Sequence, residues 1–263
     1  MELGLRGRTA LVTGASKGIG EAIAHGLAAE GVHLHLTARS ADKLTALAKQ
    51  LAGQHGVRVA SHALDLGVPG APAELAAKVG ELDILVNNAG AIPGGDLWQV
   101  DEARWRHAWE LKVFGYVNLT RAVYARMRER RKGVIVNVTG LAGSMPQAGY
   151  IAGSTGNAGL NAFGEAMGGA SLLEDGIRLL SVAPGLVTTE RMVTMLETKA
   201  QQTYGDKSRW RDLFQGMHLP MGRPAEAAEV ADLVVFLASD RAAYISGTTI
   251  TIDGGFRNRP TLF

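Results

Sequence analysis

The residues with the plainest chemical use lie near the start of the chain. Gly14-Ala15-Ser16-Lys17-Gly18-Ile19-Gly20 follows a short apolar run, Thr9–Thr13, and precedes EAIAHGLAAEG, where apolar residues recur at helical spacing. A glycine-rich turn from strand to helix lets the backbone approach a pyrophosphate, and the helix N-terminus adds free amides and a favourable dipole. Turns need glycine in any case. The placement between a first strand and a first helix selects the dinucleotide reading. After the second strand, residues 32–38, a site for NAD generally carries an acid for the ribose 2′-hydroxyl, whereas NADP calls for a cation at the 2′-phosphate. Ala38-Arg39-Ser40 stand there, Lys17 sits inside the glycine turn, and there is no Asp or Glu. Two cations favour NADP(H) over NAD(H).

Other groups compete for attention. His33 and His35 share one face of the second strand, but no further Cys, His or carboxylate cluster is nearby. A packed or partly exposed strand face is therefore expected rather than a metal site. The apolar residues 82–86 run into Asn87-Asn88-Ala89-Gly90, and the carboxyl end of a strand is where open α/β sheets bind ligands. Residues 188–217 are poorly periodic and contain Met192, Met195, Leu196, Trp210, Phe214 and Met217. They are either ordinary packing or the lining of a mobile flap over an apolar substrate.

The elements that must position these groups alternate to the end of the chain. Strands are expected at residues 58–64, 82–86, 134–138, 178–182 and 248–252, and helices at 42–53, 71–79, 100–128 and 225–239, with another opening near Tyr150. The 263 residues carry no linker or charge block, so residues 1–263 read as one α/β domain, with a flexible substrate-covering segment at about 186–220. A net charge of +2 gives no footprint for nucleic acid, and no apolar run is long enough to span a membrane. The absence of cysteine removes disulfide and thiol chemistry and agrees with a cytoplasmic location.

Taken in order, TGASKGIG (Thr13 to Gly20), Asp65-Leu66 after the third strand, NNAG (Asn87 to Gly90), IVNV (Ile135 to Val138), Pro184-Gly185 with Val187-Thr188, and SGTTITIDGG (Ser246 to Gly255) resemble the short-chain dehydrogenase/reductase family over essentially the whole chain. The resemblance implies a Rossmann-type, doubly wound, seven-stranded parallel sheet in a single domain. It implies adenine recognition near Asp65 and Leu66, a nicotinamide ribose near Asn88, Ala89 and Gly90, and assembly into homotetramers or homodimers through two long central helices. The implied reaction is reversible hydride transfer between a nicotinamide and a small-molecule carbonyl or alcohol. In it a tyrosine carries the proton, a lysine four residues later lowers that tyrosine's pKa, a serine polarises the substrate oxygen, and an asparagine supports a water.

Tyr150 matches the tyrosine of this set, but Ser154 stands at the lysine position, Gly140 at the serine position and Lys112 at the asparagine position. The loop from Gly140 to Tyr150 is also a few residues shorter than usual. Two expectations follow. In one, Lys112 replaces the missing lysine from a neighbouring helix, Tyr150 remains the acid, and Thr139, Ser144 or nothing serves as oxyanion donor. In the other, Lys112 is merely solvated and the site has lost redox chemistry, leaving a dinucleotide-binding protein without dehydrogenase activity, either a sensor or scaffold or the catalyst of a non-redox reaction such as an elimination. Asn157 and Asn161 continue the Tyr150–Ser154 face and read as a helix–helix contact.

Overall fold

Seven short strands of mainly β-branched and aliphatic residues line up in parallel in this computed structural model, which describes residues 2–258. In chain order they are β1 (Thr9–Thr13), β2 (His33–Ala38), β3 (Val59–Ala63), β4 (Ile84–Asn87), β5 (Gly133–Val138), β6 (Ile177–Pro184) and β9 (Thr249–Ile252), with a small separate pair, β7 (Val187–Thr188) and β8 (Ala225–Glu226). The sheet order is β3-β2-β1-β4-β5-β6-β9. Register explains why it is buried on both faces. Leu11, Leu85, Ile135 and Leu179 lie side by side across four strands and enter one apolar cluster, while their successors Val12, Val86, Val136 and Leu180 enter the other.

Helices cover both faces. They are α1 (Gly18–Ala29), α2 (Ala41–His55), α3 (Ala71–Val79), α4 (Glu102–Trp109), α5 (Gly115–Arg130), α6 (Ile151–Asp175), α7 (Glu190–Tyr204) and α8 (Ala227–Ala238). This is the single-domain Rossmann-type architecture expected from the motifs. The chain order reverses between β1 and β4, so the strand ends there leave a crevice.

Three local differences from the sequence reading matter for the site. The helix expected at 100–128 is interrupted by a π-turn at Glu110–Phe114, closed by Gly115 N–H donating to the Glu110 carbonyl. Hydrophobic periodicity cannot reveal one extra residue in a turn. The segment expected to be irregular holds α7 and a run of 3₁₀ turns at Lys207–Met217, joined through Trp210, Leu213, Leu196 and Ala200. His35 Nδ1 lies 2.9 Å from His62 Nε2 on the adjacent strand, their rings stacked, and His33 Nδ1 accepts from Arg58 N–H. No helix among the described residues is long and apolar enough to cross a membrane.

Candidate active site

A cavity of about 1050 Å³ opens at the crevice, and its lining includes Lys17, Arg39, Tyr150 and Met217. Its first half is built by close backbone approach. Gly14 and Gly18 have φ of +66° and +60°, and a Cβ on Gly14 would lie 2.9 Å from the Ala89 Cα. A Cβ on Gly20 would lie 2.3 Å from the Gly14 carbonyl oxygen, which is why helix and turn can nest. Thr13 ties this turn to the NNAG strand end: its Oγ1 accepts from the N–H groups of Asn88 and Ala89, and Asn88 Nδ2 donates to the Thr13 carbonyl. No side chain caps the first turn of α1, so its N–H groups remain available to an anion.

The cations lie where a phosphate would need them. Arg39 is 3.9 Å from Asp65, and Lys17 and Lys43 reach Glu190 at 4.0 and 3.9 Å, all with substantial exposure. Such loose pairs hold little energy and exchange readily for a stronger anion. An uncapped helix end, a glycine cradle and flanking cations fit a phosphorylated dinucleotide. Ser16, Ile19, Leu66, Pro184, Gly185 and Val187 also line the cavity. Gly20 acts from behind the turn. Thr188 stands in β7 beside the wall, and its neighbour Thr189, which the motif reading passed over, lines the cavity and caps α7 by accepting from Met192 N–H.

The second half is assembled from elements far apart in sequence. Tyr150 immediately precedes α6, its backbone bridged to Gly95: Gly95 N–H donates to the Gly149 carbonyl and Ile151 N–H to that of Gly95. Trp109 of α4 steadies the same turn through its indole N–H on the Ala152 carbonyl. Lys112, in the π-turn, is only 7% exposed. Its ammonium donates to Tyr116 Oη at 2.8 Å and to the Val138 carbonyl at 2.7 Å, and Tyr116 donates to that same carbonyl. Burial pushes the ammonium down to about 7 and the Tyr116 phenol well above its ordinary range. Gly90 makes room, since a Cβ there would lie 2.6 Å from Lys112 Cδ. Lys112 thus lines the cavity, and the solvated alternative does not describe it.

The hydroxyls near Tyr150 are committed elsewhere. Ser154 Oγ accepts from Gln147 N–H and faces the loop backbone, Ser144 donates to the Leu141 carbonyl, and Thr139 to that of Val182. Gly140 lines the cavity in an extended conformation. Facing it is Asn157, which the sequence pattern alone reads as a helix contact. The spacing of four between tyrosine and lysine positions is met again by Gly153 and Asn157, three residues on, a register that also restores the loop length.

The chain belongs to the short-chain dehydrogenase family, whose model matches residues 8–200. It is an oxidoreductase of that family. The 3-oxoacyl-(acyl-carrier-protein) reductase FabG of Escherichia coli (strain K12) is 34% identical over 254 residues, covering 96% of this chain and 98% of its own. The L-sorbose reductase of Gluconobacter frateurii, solved with NADPH and L-sorbose, superposes with a TM-score of 0.92 at 32% identity, covering 97% and 98%. A 3-oxoacyl (acyl-carrier-protein) reductase from Agrobacterium tumefaciens, solved with NADP, gives 0.86 at 28% identity, covering 96% and 95%.

Proposed function

We propose that the protein is an NADP(H)-dependent oxidoreductase that interconverts a ketone and a secondary alcohol with an apolar body, using a non-standard active site. The observation that carries this reading is Lys112: a buried ammonium on the floor of the same cavity that Tyr150 lines. NADP(H) is favoured over NAD(H) by Lys17 and Arg39, and two similar structures hold NADPH or NADP. When bound, the cofactor supplies or accepts a hydride at its nicotinamide.

In the reductive direction the carbonyl carbon gains that hydride and the oxygen gains a proton from the Tyr150 hydroxyl, giving the alcohol and oxidised cofactor. Lys112 supplies positive charge near the tyrosinate that remains. Its third N–H has no acceptor among the described residues and is available to the cavity. Ile92, Leu186, Met192 and Met217 give the far end of the cavity an apolar wall, which supports the apolar body of the substrate. The segment at 186–220 supplies part of that wall and serves as the movable cover. Exposed Leu172 and Leu173 near the end of α6 support self-association through the central helices, as a homodimer or homotetramer in the cytoplasm.

The test is NADPH consumption at 340 nm with L-sorbose, acetoacetyl-coenzyme A and a series of aryl methyl ketones. Turnover is expected with at least one, abolished by Tyr150→Phe. Arg39→Ala should weaken NADPH and leave NADH almost unchanged. NADPH binding without turnover of any ketone would point instead to a dinucleotide-binding protein without dehydrogenase activity.

A further inference from the structure

Two positions at the reacting end lack a side chain, and in both the vacated space is filled from elsewhere. A Cβ on Gly153 would fall 2.1 Å from Cε1 and Cζ of Tyr150, so the tyrosine ring lies where a side chain at 153 would project. A Cβ on Gly140 would lie 3.0 Å from Asn157 Nδ2. The carboxamide therefore stands beside the place that a side chain at 140 would occupy. Asn157 is 4% exposed and lines the cavity, its Oδ1 is buried without a partner, and neither amide atom bonds to any described residue. A dehydrated amide left unanswered costs about 1–3 kcal/mol. The fold tolerates that cost at an amide that lines the same cavity as Tyr150 and lies against Gly140.

We propose that Asn157 binds the reacting oxygen of the substrate, its Nδ2–H donating to the carbonyl oxygen that Tyr150 protonates. This deepens the ketone-reductase reading and rests on it. The hydroxyls do not compete for this role: Thr139, Ser144 and Ser154 each hold theirs against a backbone atom. Position 140, as glycine, offers only its backbone. A donor aimed at developing oxyanion charge in a water-poor site is worth far more than the same bond in water.

The first measurement needs no damaged enzyme. In ¹⁵N-labelled wild type, the Asn157 side-chain amide, identified by its absence from the Asn157→Ala spectrum, is followed during addition of NADP⁺ and then of L-sorbose or acetoacetyl-coenzyme A. Ketone and oxidised cofactor cannot react, so the complex persists. The amide should shift on ketone addition. A full shift with NADP⁺ alone, unchanged by ketone, would overturn the proposal and assign the amide to a cofactor hydroxyl. In turnover, Asn157→Ala should lower kcat/KM by about 10²-fold or more. NADPH affinity, read by fluorescence, should stay within about twofold, since phosphate and ribose contacts made elsewhere are untouched. The double variant Asn157→Ala with Gly140→Ser should regain much of the loss by returning a hydroxyl to the vacated place. Wild-type activity in Asn157→Ala would refute the assignment while leaving the reductase reading intact. Absence of both ketone turnover and any ketone-induced shift in the wild type would remove the reading and the assignment together.

Discussion

The two ends of the cavity are made in different ways. At the dinucleotide end the parts belong to short, contiguous motifs held by backbone groups: Gly14, Gly18 and Gly20 set the turn, and Thr13 pins it to Asn88 and Ala89. At the proposed reacting end the groups come from Lys112 in a π-turn, Tyr150 ahead of α6, and Asn157 two turns into it, all lining one cavity. The first end works because almost nothing except glycine fits. The second, as proposed, would work because side chains can reach one cavity from several backbone origins. A backbone-built site therefore stays readable as a motif, whereas a side-chain-built site is free to be rehoused, as proposed for Lys112.

The largest effect that would break this comparison is expected from Gly20→Val. Its Cβ would meet the Gly14 carbonyl oxygen at 2.3 Å and Asn88 Nδ2 at 2.5 Å, and backbone cannot yield as a side chain can. Circular dichroism and NADPH fluorescence should show loss of cofactor binding with loss of structure. Near-normal binding would mean that the motif end is as forgiving as the other. Gly153→Ala should be milder and more selective. The new methyl group displaces the Tyr150 ring without touching the glycine turn. Turnover should fall by about 10²-fold, the usual worth of a positioned general acid, with NADPH affinity nearly unchanged. Equal losses in both would show that the two ends are not separable.

Lys112→Met sharpens the contrast through its sign. An unfolded lysine holds its proton to about 10.5, whereas the buried group releases it at about 7. Between those values the unfolded chain binds the extra proton, so this residue makes stability rise with pH through that window; below about 7 its cost is constant. The variant should melt above the wild type at pH 7 and lose that advantage toward pH 10. It should also lose the fall in reductive turnover expected as pH rises through 7. A melting temperature below the wild type at pH 7 would mean that the bonds to Tyr116 and Val138 outweigh the desolvation cost.

Much of the fold was legible because local physics and tertiary placement agree. The apolar runs of β1, β4, β5 and β6 are buried on both faces whichever neighbours they pair with, and glycine punctuation bounds them. The glycine turn was legible for the same reason, and Lys17 and Arg39 line the cavity beside it. Two registers, each pairing positions four apart, fit the chain, Tyr150 with Ser154 and Gly153 with Asn157, and the helical spacing of Asn157 gave no hint that it lies against Gly140. The π-turn that carries Lys112 leaves no trace in hydrophobic periodicity.

The sequence by itself determined the class of sheet, the dinucleotide turn and the charges beside it, because each depends on residues adjacent in the chain. Only the tertiary structure decided that Lys112 is buried rather than solvated, that Ser154 turns away from the cavity, and that Tyr150 and Asn157 fill the places left by Gly153 and Gly140. Those outcomes depend on which volumes are empty where β5, α6 and the π-turn meet. An empty volume is a property of packed neighbours, and no single segment of chain encodes it.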